Sequence, residues 1–186
     1  MTENKVTLTE IEQVRAEAER LFTTEQVNAS YDSMAVAIAS RLRDSNPLLL
    51  SVLIGGIMPT AAIMARLDFP LQVDYLHATR YREKTHGGAL EWLKPPTDIQ
   101  GRSILVIDDI LDEGHTLREI VSACHDAGAA EVLTAVLVDK QVRRDSGLAQ
   151  ADFTGLTIPN RYVFGCGMDY KGYMRNLPEI YAVKGM

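Results

Sequence analysis

Residues 104–117 read Ile-Leu-Val-Ile-Asp-Asp-Ile-Leu-Asp-Glu-Gly-His-Thr-Leu and concentrate the chemistry of this chain. An apolar run delivers three carboxylates, Asp108, Asp109 and Asp112, to the end of a buried strand, and a loop with Gly114 and Thr116 leads on into a helix. A helix start presents unpaired N–H groups and a partial positive charge, so the turn from Asp112 to Thr116 fits a phosphate cradle. Gly114 would let the backbone approach, and the Thr116 hydroxyl would add a donor. No Gly-Lys-Ser/Thr follows, so this is not the nucleoside-triphosphate P-loop. Asp108 and Asp109, adjacent at the strand mouth, would repel one another unless they meet a metal or hydroxyl donors. Together the parts suggest a phosphorylated sugar, with hydroxyls at the paired acids and phosphate at the loop. The plainer alternative is that the acids cap the helix and solvate its loop, since acidic residues favour helix starts anyway.

These groups need a scaffold, and the flanking pattern provides one. Residues 48–54 are almost continuously apolar and end in Gly55-Gly56, which suits a strand covered on both faces, and Pro59 sits well near the start of a helix over 61–67. The unit recurs as a short strand over 103–107, a polar loop over 108–114 and a helix over 116–127 stopped by Gly128, with a further strand over 131–138. Strand and helix in alternation predict an α/β fold with an open, mostly parallel sheet, whose ligands sit beyond the carboxyl ends of the strands. Ahead of it the spacing predicts helix over the first forty-odd residues. Ile11, Val14, Ala18, Leu21 and Phe22 follow a Thr9-x-x-Glu12 capping pattern, and Tyr31, Met34, Ala35, Ile38, Ala39 and Leu42 form a second apolar face. Residues 80–96, rich in charge and glycine, read as a long surface loop.

Composition narrows the function classes. The 186 residues are 46% hydrophobic and 24% charged, ordinary for a globular chain, and at that length roughly 70% of the unfolded surface is buried on folding. With 19 Lys plus Arg against 25 Asp plus Glu, the net charge of −6 is opposite to that of a nucleic-acid binder. Cys124 and Cys166 make neither a disulfide framework nor a zinc site. The polar first dozen residues lack the basic end and apolar run of a signal peptide, and no apolar stretch approaches the roughly 20 residues that cross a bilayer. A cytoplasmic protein without membrane or nucleic-acid partners is expected.

The segment Val106-Ile-Asp-Asp-Ile-Leu-Asp-Glu-Gly-His-Thr116 resembles the phosphoribosyl-pyrophosphate signature of type I phosphoribosyltransferases. Leu53-Ile-Gly-Gly56 resembles that family's pyrophosphate loop, Thr79-Arg-Tyr81 the start of its catalytic flap, and Val138-Asp-Lys140 the strand end that carries a purine-reading lysine. Arg161-Tyr-Val-Phe-Gly-Cys-Gly-Met-Asp-Tyr170, with Arg175, looks like the C-terminal hood of the hypoxanthine-guanine branch. The similarity spans roughly residues 30–186, with the motifs in the family's order.

The resemblance implies one domain over residues 1–186, with a hood from the N-terminal region and about 150–186 and a flap at about 80–92. Asp108 and Asp109 would hold the ribose hydroxyls, directly or through Mg2+. The loop of Asp112, Glu113, Gly114, His115 and Thr116 would bind the 5′-phosphate, and Leu53, Ile54, Gly55 and Arg175 the pyrophosphate. Asp112 would face N7 of the base as general base or hydrogen-bond partner. Lys140, a donor-only ammonium, would read a 6-oxo group. Tyr162 would stack on the base, the Val163 backbone would pair with its edge, and Asp169 would hold a second Mg2+ through water. Tyr81 would fold over the site as the flap excludes water.

The implied reaction is Mg2+-dependent transfer of the 5-phosphoribosyl group to hypoxanthine or guanine, giving IMP or GMP, by a homodimer or homotetramer. A xanthine-preferring enzyme is the nearest alternative, and a phosphoribosyl-pyrophosphate sensor that binds nucleic acid is the alternative from another class. Three positions depart from the family pattern. Ile54 stands where many relatives carry Lys, and Glu113 occupies a position usually given to a small hydroxyl residue and is expected to point to solvent. Arg80 replaces a small flap residue, either as an additional phosphate contact or as a solvated charge.

Overall fold

A computed structural model describes residues 6–80 and 90–186, with the backbone alone at residues 79, 80, 90 and 91. The chain opens with α1 (Leu8–Glu17), β1 (Glu19–Phe22), α2 (Thr24–Leu42), β2 (Leu48–Leu53) and α3 (Ile57–Met64). It continues through β3 (Gln72–Arg80), β4 (Leu90–Lys94), β5 (Ser103–Leu111), α4 (His115–Asp126) and β6 (Glu131–Lys140), and closes with β7 (Phe153–Ile158), β8 (Val163–Phe164) and β9 (Ile180–Ala182). Six strands form the main sheet in the order β4-β3-β2-β5-β6-β7, parallel throughout except for the antiparallel β3–β4 pair at the edge. The expected mostly parallel α/β sheet is therefore present.

Alternation along the strands decides which helix covers which face. Leu49, Leu105, Ile107, Ala135 and Leu137 pack with Ile38 and Leu42 of α2 and Ile63 of α3. Their neighbours Leu48, Leu50, Ile104, Val106 and Val136 pack with Leu117, Ile120 and Cys124 of α4. Both faces are dry, which is why the strands read as unbroken apolar runs. A second, antiparallel sheet, β1-β9-β8, stands apart with its own core of Ile11, Phe164, Tyr170, Met174, Leu177 and Val183.

Four local expectations need correction. The N-terminal helix is interrupted: Ala18 is extended and Glu19–Phe22 pairs with β9, so Leu21 and Phe22 reach the core from a strand. Long-range pairing here overrides a local helical spacing. The cap of α1 is Thr7, whose hydroxyl accepts from the Glu10 amide at 3.1 Å, two residues earlier than Thr9. The expected loop over 108–114 begins later, because Leu111 is fully buried and keeps β5 in register with β6 as far as Asp139. Residues 80–96 are not all loop either, since β4 returns against β3 with Trp92 packed inward and Leu93 left 62% exposed. Strands β3 and β7 complete the sheet where no strand is expected from the sequence.

Removing a side chain from the middle of the α2 face gives a direct check on this packing. Ile38→Ala is expected to lower the unfolding free energy by about 2–5 kcal/mol, against within about 0.5 kcal/mol for the neighbouring Val36→Ala, which is 73% exposed. Chemical denaturation of both variants measures the difference, and equal effects would misplace the face.

Candidate active site

The carboxyl ends of β2, β5 and β6 open into a cavity of about 380 Å³. Leu53, Ile54 and Gly55 line it from the end of β2, and Asp108, Asp109, Asp112 and Thr116 from β5 and the loop after it. Lys140 enters from the end of β6, and Tyr162, Val163, Asp169 and Arg175 from the second sheet and its loops. Most residues singled out from the sequence thus share one space. Glu113, Gly114 and His115 line an adjoining hollow of about 310 Å³ formed by residues 108–117. Tyr81 and most of the expected flap fall outside the described residues, as does the side chain of Arg80.

Two consecutive acids set the electrostatics. Asp109 is buried and Asp108 keeps partial exposure to the cavity; the Asp109 amide donates to Asp108 Oδ1 at 2.9 Å. Burial first, and then the charge of Asp109, hold the Asp108 carboxyl well above the usual carboxylate range. Burial also raises Asp109, opposed by hydrogen bonding from Asp108 and by the Arg175 guanidinium at 3.6 Å. The approach of backbone to Asp109 is close: a Cβ on Gly55 would collide with its carboxylate, and one on Gly167 with the Gly55 carbonyl.

The loop after β5 turns through Gly114, whose φ of 77° lies in the left-handed region open to glycine, and α4 starts without a side-chain cap. The Glu113 side chain is 80% exposed, 3.9 Å from His115, so it faces solvent. On the opposite wall Lys140 Nζ donates to Asp112 Oδ2 at 2.6 Å, the lysine largely covered and the aspartate half exposed. Tyr162 is 41% exposed and meets the Tyr170 ring edge-on at 5.8 Å, while the Tyr170 hydroxyl donates to Glu10 of α1 at 3.0 Å. Arg175 donates to the Gly167 carbonyl and pairs with Asp169 at 2.5 Å.

Among the described residues no group of three or more acid, histidine or cysteine side chains is gathered to hold a metal unaided. The donors fall instead into the Asp108–Asp109 pair and an Asp169 engaged by Arg175. Cys124 and Cys166 are buried thiols without a disulfide, pushed up to about 11 and about 12 by burial, and take no part in the cavity lining described above. Arg144, at the back of the loop, is the residue that sequence reasoning passed over. It lies in a polar stretch where an arginine reads as one more surface charge, yet its side chain is only 6% exposed.

A sheet that gathers paired acids, a turn at a helix start and a lysine at its carboxyl edge suits a sugar-phosphate transferase, and the comparison with known proteins agrees. The chain belongs to the phosphoribosyl transferase family, whose domain model matches residues 18–171. Within that family it is similar to the hypoxanthine-guanine phosphoribosyltransferases of Streptococcus pneumoniae and Bacillus subtilis, each 31% identical over 166 residues, 88% of this chain and 92% of theirs. The hypoxanthine-guanine-xanthine phosphoribosyltransferase of Tritrichomonas foetus is 28% identical over 165 residues, 88% of this chain and 90% of that protein. A Trypanosoma cruzi hypoxanthine phosphoribosyltransferase solved with its product IMP has a TM-score of 0.82 at 28% identity, covering 90% of this chain and 92% of that one. A Staphylococcus aureus hypoxanthine phosphoribosyltransferase has the same fold, with a TM-score of 0.85 over 98% of this chain and 97% of that one.

The raised acids carry a pH signature. A carboxyl that holds its proton longer when folded than when unfolded makes stability fall as pH rises from the ordinary carboxylate value through the raised one. In metal-free protein, Asp108→Asn is therefore expected to melt higher than wild type, by a margin that widens as pH rises above the ordinary carboxylate value of about 4. Calorimetry in the presence of a chelator checks it, and a margin independent of pH would mean that the fold does not raise Asp108.

Proposed function

We propose that the protein transfers the 5-phosphoribosyl group from phosphoribosyl pyrophosphate to hypoxanthine or guanine, giving IMP or GMP and pyrophosphate. The observation that carries this reading is the shared cavity, in which the Asp108–Asp109 pair, the 112–116 turn and the Lys140–Tyr162 wall face one another. The ribose hydroxyls donate to Asp108 and Asp109, and the 5′-phosphate takes the amides of the turn at the start of α4. The purine stacks on the exposed Tyr162 ring and offers its edge to the Val163 backbone. Lys140 has three donors and spends one on Asp112, leaving others for a 6-oxo group; an exocyclic amine, itself a donor, could not accept from them. Asp112 lies beside it to take or share the N7 proton.

Loss of pyrophosphate from C1′ builds positive character on the ribose and negative charge on the leaving group. Arg175 and the amides about Gly55 are placed to meet that charge. Ile54, 54% exposed, leaves the main chain as the source of contact at this loop. Mg2+ fits the carboxylate oxygens of Asp108 and Asp109, with Asp169 for a second ion through water, because it commonly binds through one or two carboxylates plus substrate phosphates and water. Bound there, it would supply positive charge to the phosphates as they depart.

Xanthine is the second reading, favoured by the name of the Tritrichomonas foetus relative. The apolar surface of Ile57, Met64, Val73 and Tyr75, each 38–49% exposed, supports a homodimer or homotetramer. No helix among the described residues is long and apolar enough to cross a membrane. The unpaired thiols fit the reducing cytoplasm, and a net charge of −6 argues against a nucleic-acid partner.

A spectrophotometric assay with Mg2+ and phosphoribosyl pyrophosphate, offering hypoxanthine, guanine, xanthine, adenine and uracil separately, tests the reaction. Turnover of hypoxanthine and guanine alone is expected; tight donor binding without turnover of any base would point to a sensor. Asp112→Ala is expected to reduce kcat by about a hundredfold or more. Lys140→Ala is expected to raise KM for the base more than for the donor, and equal effects on both would remove Lys140 from base reading.

A further inference from the structure

Behind the cavity, Arg144 gathers five acceptors around one guanidinium. Nε donates to the Asp112 carbonyl at 2.5 Å and Nη1 to the Ala149 carbonyl at 3.0 Å. Nη2 reaches the Leu111 carbonyl at 2.8 Å, the Lys140 carbonyl at 2.7 Å and Asp139 Oδ1 at 2.5 Å. Three acceptors on one nitrogen with two hydrogens require a shared bond. The planar fork of arginine can serve such a set; a lysine, with one nitrogen, cannot.

The identity of these acceptors is informative. Asp112 and Lys140 are the two residues whose side chains meet in the cavity at 2.6 Å, and Arg144 grips the main chain of both from the other side. The segment that follows runs against the phosphate loop. The Leu148 amide donates to the Gly114 carbonyl at 2.9 Å, Arg118 donates to the Ser146 carbonyl, and a Cβ on Gly147 would collide with the Glu113 carbonyl. Residues 144–149 therefore form a strap across the back of the loop, with Arg144 as its fastening to the sheet. Three of the carbonyls it holds, those of Leu111, Asp112 and Lys140, stand at the ends of β5 and β6, where the ladder stops, and each would lose a donor if the guanidinium were removed.

We infer that Arg144 is a positioning residue: by tying the ends of β5 and β6 together through the backbones of Asp112 and Lys140, it fixes the phosphate loop relative to the wall that reads the base. The inference deepens the proposed transferase activity and rests on it for its kinetic consequence, not for its structural one. Donor and acceptor must meet at C1′, so an error in this relation slows the reaction without removing any group that touches substrate. A misplacement of about 1 Å can cost about a hundredfold in rate.

The test compares Arg144→Met with Arg66→Met. Arg66 is also a multiply bonded guanidinium, held by Asp32, Asn28 and the Ala62 carbonyl between α2 and α3, remote from the loop, and it serves as the control for general destabilisation. Hydrogen exchange is measured on ligand-free protein, and steady-state kinetics below both melting temperatures. Arg144→Met is expected to raise amide exchange over 111–117 and 139–142 by about tenfold or more, with the rest of the chain little changed. It is expected to lower kcat by about a hundredfold and to raise KM for both donor and base. Arg144→Lys should behave similarly, because charge without the fork does not restore the bonds; should the Met variant fail to fold, the Lys variant carries the test. Kinetic constants matching those of Arg66→Met, or exchange raised evenly along the chain, would overturn the inference. If wild-type protein turns over no base, the proposed function fails, and the exchange pattern still decides the role of Arg144.

Discussion

Two carboxylates on consecutive residues, held where water is scarce, are the constraint around which this molecule is arranged. Burial raises the proton affinity of Asp108 and Asp109 by denying each its solvation, the charge of Asp109 raises Asp108 further, and neither would be kept there by stability alone. What holds them is the sheet. Apolar residues precede them in β5, and the fully buried Leu111 follows, so the strand cannot turn away to release them to solvent. Gly55 and Gly167 bring two further backbones against Asp109 because neither has a side chain to obstruct it. The parallel arrangement then brings the lysine from β6 and the tip of β2 to the same edge, which is where open α/β sheets bind ligands.

Much of this is legible from residue types. The run over 104–107 followed by acids, glycine and threonine specifies strand, loop and helix in order, because each transition has a local physical cause: apolar continuity, a turn residue, an amphipathic face. The pairing of Lys140 with the loop follows once two such strands are laid side by side. Three features escape because their causes lie elsewhere in the chain. Leu21 and Phe22 keep a helical spacing, and only their partners in β9 make them a strand. Leu111 looks like a loop residue among three acids until the core beneath it is assembled. Arg144 sits among Arg143 and Asp145, both well exposed, and nothing in residue type distinguishes the one guanidinium that turns inward.

The second sheet shows how a further cavity wall can be added to such a scaffold without disturbing it. Tyr162 immediately precedes, and Val163 begins, a short strand that pairs with β9 and not with the main sheet, and Tyr162 is supported by Tyr170, itself anchored on α1 through Glu10. The 112–116 turn and the Tyr162–Val163 wall therefore belong to different layers of the molecule, and the Asp112–Lys140 pair lines the cavity they share.

Arg175 stands at that junction already satisfied, joined to Asp169 at 2.5 Å, near Asp109 at 3.6 Å and bonded to the Gly167 carbonyl. A bare polyanion that drew the guanidinium away would leave two carboxylates without their counter-charge at the moment more negative charge arrived. A ligand that enters with cations of its own exchanges partners instead, and the local sum of charge is preserved. Under the proposed reaction the ion pair would thus work as a turnstile, favouring neutralised phosphates over naked ones before any atom of sugar or base is recognised.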